Sequence, residues 1–170
     1  MDRQTQIDFI LDHYENPRHY GPLAEAEANA QGINPGCGDV VTFYLKVNDD
    51  DRIEAISFEG EGCTISQAAS SIVTEMLTGK TLTDVESTPS DAILDIVGRE
   101  FAGTRLKCAT LGLNTVKEAV RMLRREAHLQ PRFSAILPVL DGKQYLGGTL
   151  QREEIYDDAG QEMSHRSPVV

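Results

Sequence analysis

Hydrophobic positions along the chain switch between two periods, and the switches outline its elements. Ile7, Ile10, Leu11 and Tyr14 recur at helical spacing, so Asp2 to Tyr14 reads as an amphipathic N-terminal helix. Asn16-Pro17 and Gly21-Pro22 punctuate the loop that follows. Between Glu25 and Ile33 the pattern is weak, rich in Ala and Asn, and compatible with an edge strand. Asn34-Pro35-Gly36-Cys37-Gly38 has the composition of a tight turn. From Val40 to Val47 the period is two. Val41, Phe43, Leu45 and Val47 share one face, and Val40, Thr42, Tyr44 and Lys46 the other. A turn at Asn48 to Asp51 and a returning strand from Ile53 to Phe58 complete a hairpin, which Gly60-Glu61-Gly62 ends.

The helical period then returns. Ile65, Ala69, Ile72, Val73, Met76 and Leu77 predict a helix stopping before Gly79, which puts Cys63-Thr64 where a glycine-rich loop enters it. Leu82 to Val85 predicts a short helix, and Ser90 the cap of another running to Gly98. Leu106, Ala109, Leu113, Val116, Val120 and Leu123 predict a long amphipathic helix with Cys108 near its start and a break at Pro131. The order is helix, strands, then helices. It predicts an α+β fold, a small antiparallel β-sheet packed against several α-helices. Residues 1–128 read as one domain. Residues 129–170 read as a C-terminal extension of unread role, with an apolar stretch at Phe133 to Leu140, a hairpin turn at Asp141-Gly142 and a disordered end.

Composition removes several classes of function. Against 16 basic residues stand 27 acidic ones, a formal charge of −11, which is unsuited to nucleic acid or an anionic membrane surface. Apolar runs reach only about six residues, far short of the roughly 20 that cross a bilayer. The polar opening Met1 to Gln6 lacks a secretory pattern, so a cytoplasmic location is expected.

The chemistry lies in three cysteines, an odd number that cannot pair internally in full. Scattered cytosolic cysteines are commonly small core residues. The surroundings of these three point elsewhere. Cys37 lies between two glycines in a turn, open to close approach. Cys63 opens a helix, whose N-terminal N–H groups favour a thiolate. Cys108 follows Arg105 and Lys107, two cations expected to favour its thiolate as well. Thiolates bind soft or borderline metals, and a tetrahedral site wants a fourth donor. Asp39 is the natural candidate, because residues i and i+2 of an extended segment point to one side.

Four blocks carry a family resemblance: Leu11-Asp12-His13-Tyr14-Glu15-Asn16-Pro17-Arg18, Asn34-Pro35-Gly36-Cys37-Gly38-Asp39, Gly60-Glu61-Gly62-Cys63-Thr64-Ile65-Ser66 and Lys107-Cys108-Ala109-Thr110-Leu111. In this order they resemble the IscU/SufU family of iron–sulfur cluster assembly proteins, found also as the N-terminal domain of NifU. The resemblance spans roughly residues 2–128 and implies the same α+β fold. It implies that Cys37, Cys63 and Cys108 bind sulfur and metal with Asp39 as the associated carboxylate, and that a cysteine desulfurase donates the sulfur. Two departures mark the subtype. Lys107 stands where the IscU branch has a histidine before the third cysteine, and the stretch from Phe101 to Leu106 lacks the Leu-Pro-Pro-Val-Lys motif. Both set against docking to an Hsp70-type chaperone. The SufU branch shares the lysine but carries an insertion that this chain has no room for.

Two functions follow from the resemblance. As a scaffold, the three thiolates and Asp39 hold a transient [2Fe–2S] cluster for transfer to apo-proteins. As a sulfur acceptor, the same residues hold Zn²⁺, Cys37 takes the desulfurase persulfide, and Arg105 and Lys107 support it. The scaffold reading leads. A structural zinc module is set back because such sites cluster cysteines in close pairs. His13 and His19 read as surface or capping residues, and Ser66 and Thr64 as capping or packing residues.

Overall fold

The computed structural model of the chain describes residues 2–136, with side chains over 2–127. Residues 1–130 form one compact unit. The expected hairpin at Asp141-Gly142 and the extension beyond residue 136 lie outside the described residues.

Helix α1 spans Arg3–Glu15, with Asp2 as its N-cap accepting the Thr5 N–H. Strands β1 (Ala28–Asn34), β2 (Asp39–Val47) and β3 (Ile53–Glu61) follow, then α2 (Thr64–Leu77), α3 (Leu82–Ser87), α4 (Ser90–Val97) and α5 (Arg99–Ala102). A 3₁₀ turn at Gly103–Arg105 leads into α6 (Leu106–Ile136). The strands pair antiparallel in the order β1-β2-β3, so the weakly patterned segment is indeed an edge strand. The α+β expectation holds.

The alternation in β2 is complete: Val41, Phe43, Leu45 and Val47 are buried and the residues between them half-exposed. Phe43 stacks on Phe58 of β3 at 5.6 Å, and the helices close over this face. Gly112 lets α6 approach closely, since a Cβ there would sit 3.1 Å from Phe43 and 3.0 Å from Ser70 Oγ of α2. The same inward alternation, carried two residues back from Val41, buries Asp39. A carboxylate thus occupies a core-facing position at the end of the central strand.

Three features differ from expectation. Pro89, not Ser90, is the N-cap of α4, and it offers no side-chain hydrogen bond. Helix α6 runs through Pro131. Proline's fixed φ is itself helical, so the residue does not by itself forbid continuation. On α1 the packed face carries Ile10 and His13, whereas Leu11 and Tyr14 are exposed.

Candidate metal centre

One turn, the start of a strand and the starts of two helices converge at one end of the sheet. The turn between β1 and β2 presents Cys37, and Gly38 within it has a positive φ of 74°. Asp39 begins β2, Cys63 is the N-cap of α2, and Cys108 lies in the first turn of α6. All three cysteines are free thiols, with Cys37 exposed, Cys63 half-buried and Cys108 buried. Their convergence depends on register. Asn34 pairs with Asp39 across the β1–β2 turn, and Glu61 pairs with Val40, so the loop to Cys63 leaves the sheet beside Asp39.

The geometry centres on Asp39, which is 2% exposed. Its Oδ2 accepts from Cys37 Sγ at 3.0 Å and from Cys63 Sγ at 3.7 Å, and its Oδ1 accepts the Cys63 N–H at 3.0 Å. Cys37 and Cys108 sulfurs lie 3.1 Å apart. Donor atoms of Cys37, Asp39 and Cys108 all fall within 4.8 Å of one another, and Cys63 joins them through Asp39. A pocket of about 610 Å³ opens on this group, with Arg105, Lys107, Thr104 and Glu61 in its wall.

Burial works to raise the Asp39 pKa, but hydrogen bonds from Cys37, Cys108, the Cys63 N–H and Ser66 outweigh it and hold the carboxyl below its ordinary value. Cys108 corrects the sequence expectation. Burial, then hydrogen bonding with Cys37 and Asp39, then the charges of Cys63 and Asp39 push its thiol far above the usual range. Arg105 and Lys107 are exposed, and water and salt screen them. Desolvation of the sulfur wins.

Sequence reasoning missed Asn34 and understated Ser66. Asn34 Nδ2 donates to Cys108 Sγ at 3.3 Å, and buried Ser66 donates to the Cys63 carbonyl at 3.0 Å. Gly62 packs so closely that a Cβ there would lie 2.9 Å from Asp39 Oδ1. The Asn-Pro-Gly-Cys spelling announced a turn, but not that its first side chain would reach a sulfur far along the chain. His13 and His19 stand away from the pocket wall. His13 is not a surface residue: it is 1% exposed, with Nδ1 2.8 Å from Ser71 Oγ of α2 and Nε2 3.6 Å from Glu75. His19 Nδ1 lies 3.0 Å from Thr74 Oγ1.

A family model described as the NifU-like N terminal domain matches residues 5–129, a stretch that contains every donor of this centre. The chain belongs to that family. Among the relatives of this NifU-like domain is the iron–sulfur cluster assembly scaffold protein IscU of Streptococcus pyogenes serotype M1, 36% identical over 137 residues, covering 71% of this chain and 85% of that one. IscU of Escherichia coli K12, another scaffold protein, is 34% identical over 114 residues and covers 65% of this chain and 88% of its own. A candidate SUF-system scaffold from Fervidobacterium islandicum is similar in structure, with 29% identity, a TM-score of 0.55, and coverage of 66% of this chain and 94% of that chain. A NifU-like N-terminal structure from Brucella abortus, with 24% identity and a TM-score of 0.60 over 71% of this chain and 98% of its own, shares the fold.

Proposed function

We propose that this NifU-like domain is an iron–sulfur cluster assembly scaffold that builds its cargo on Cys37, Asp39, Cys63 and Cys108. A cysteine desulfurase supplies the sulfur, and apo-proteins receive the cluster. The observation that carries this reading is the donor set. Three thiols converge on a carboxylate that is buried without a lysine or arginine ion pair among the described residues. A buried carboxylate held only by thiols, a backbone N–H and a hydroxyl wants a cation, and soft sulfur donors select iron or zinc. Three cysteines and an aspartate complete the four donors that a cluster face or a tetrahedral ion requires. The hard carboxylate binds such metals less firmly than a fourth thiolate, which suits release.

Cys37 is the thiol that meets the sulfur donor, since it alone of the three is exposed. Its thiolate attacks the sulfane sulfur of the desulfurase persulfide. An S–S bond forms to Cys37 as the bond to the desulfurase cysteine breaks, and that cysteine leaves as a thiolate. Reduction of each transferred sulfur to sulfide draws two electrons from a reductant outside this chain. Arg105 and Lys107 in the pocket wall offer positive charge to the incoming persulfide.

A second reading is a zinc-dependent sulfur acceptor, and Lys107 favours it, because an ammonium next to Cys108 cannot replace an imidazole ligand. The same four residues would hold Zn²⁺, whose charge keeps the thiols deprotonated when bound. Both readings place the chain in a reducing, cytoplasmic setting, which keeps free thiols available. Residues 1–128 carry the whole of the proposed chemistry, with 129–170 as an extension. The first test is metal uptake. The wild-type chain takes up zinc or ferrous iron, and the C37S/C63S/C108S variant does not; equal uptake by both overturns the assignment.

A further inference from the structure

We infer that Asn34 is a positioning residue of this centre, one carboxamide that fixes the sulfur of Cys108 and the turn bearing Cys37 relative to each other. The inference rests on the metal-binding reading given above. Asn34 ends β1, is 8% exposed, and uses both halves of its side chain. Nδ2 donates to Cys108 Sγ at 3.3 Å, and Oδ1 accepts the Gly36 N–H at 3.2 Å. Its backbone carbonyl accepts the N–H groups of Cys37 at 3.3 Å and Gly38 at 2.8 Å.

Asn34 therefore ties down the turn that presents Cys37 and a sulfur 74 residues further on. Its strand partner across the turn is Asp39, so a third donor is registered against the same residue. A plain turn residue would need only the oxygen contacts. The Nδ2–H···S contact is the surplus, and it is directed at a buried thiol whose other neighbours are Cys37 and Asp39. An N–H donor toward a metal-bound thiolate orients the sulfur and lowers the energy of its lone pairs. Loss of such a supporting contact typically weakens metal binding by about 10–100-fold. The same contact raises the energy of sulfur-to-metal charge transfer.

Serine at position 34 separates the two roles. Its hydroxyl can accept from Gly36 in the same kind of turn, and the backbone bonds to Cys37 and Gly38 remain, but it is too short to reach Cys108. The full-length wild-type and Asn34→Ser chains are titrated anaerobically with Co²⁺ alone, and the thiolate-to-cobalt charge-transfer band is followed. The expected result is a band moved to longer wavelength and a Co²⁺ dissociation constant raised by about 10-fold or more. A band that stays in place overturns the inference whatever the affinity does, since weaker binding alone would mean only a looser turn. Should Asn34→Ser not fold, Asn34→Asp is read in the same way. It keeps the turn acceptor and the shape of the side chain, and an oxygen against the sulfur must also move the band to longer wavelength. Failure of the wild-type chain to bind Co²⁺ at all overturns the metal-binding reading itself, a result distinct from the first.

Discussion

Asp39 Oδ1 accepts the backbone N–H of Cys63 at 3.0 Å, so the start of the central strand and the N-cap of α2 are joined at the centre itself. The carboxylate satisfies an N–H at the start of the helix and faces the thiols with its other oxygen. Gly62 makes room for this arrangement. A Cβ there would run into Ser66 Oγ and lie 2.9 Å from Asp39 Oδ1, with both neighbours held by hydrogen bonds.

Gly62→Ala should therefore push the carboxylate off the thiols. The expected cost to the metal-free fold is about 1–3 kcal/mol, the usual range for overpacking. Weaker zinc binding should accompany it. Urea denaturation and competition with a chelating dye measure the two effects.

His13 predicts a pH dependence. Burial, then the charge of Arg18, hold its imidazole below the ordinary 6.5, against the opposing pull of Glu75 and Asp12. The folded chain thus binds fewer protons at this site than the unfolded chain in mild acid. The stability His13 contributes is complete above the unfolded value near 6.5 and declines as pH falls below it, levelling off beneath the folded pKa. Urea midpoints should fall as the pH is lowered from about 7.5 to about 5.5, roughly one unit either side of an ordinary histidine, and His13→Gln should flatten part of that slope.

Phe43 anchors the core behind the site, fully buried, stacked on Phe58 and in close approach to Gly112. Phe43→Ala should cost about 3–5 kcal/mol, read as a lowered urea midpoint. Because α6 carries both Gly112 and Cys108, metal affinity should fall as well.

Periodicity carried the long elements because each buries one continuous face. The alternation from Val41 to Val47 and the spacing from Ile65 to Leu77 needed nothing beyond burial to be read. The short turns between α4 and α6 escaped, since Arg99–Ala102 and Gly103–Arg105 are too brief to show a period and are set off by Gly98 and Gly103 at positive φ. At the centre, residue type was enough to nominate Cys37, Asp39, Cys63 and Cys108. It was not enough to find Asn34, which gains its sulfur contact only when α6 packs beside the end of β1. His13 misled for a similar reason: it sits three residues after Ile10 on the packed face, but a histidine there counts as polar until Ser71 and Glu75 are seen facing it. The raised Cys108 thiol was illegible because neighbours in sequence are cations, whereas neighbours in space are sulfur and carboxylate.

The most direct measurement of the central claim is anaerobic incubation of the chain with Fe²⁺, cysteine, a thiol reductant and a cysteine desulfurase, followed by visible absorption and then by transfer to an apo-ferredoxin. The scaffold reading predicts cluster charge-transfer bands that grow on the wild-type chain, are absent from the C37S/C63S/C108S variant, and move to the acceptor. A chain that develops no such bands, yet accelerates desulfurase turnover with zinc bound, would contradict it and belong to the sulfur-acceptor type.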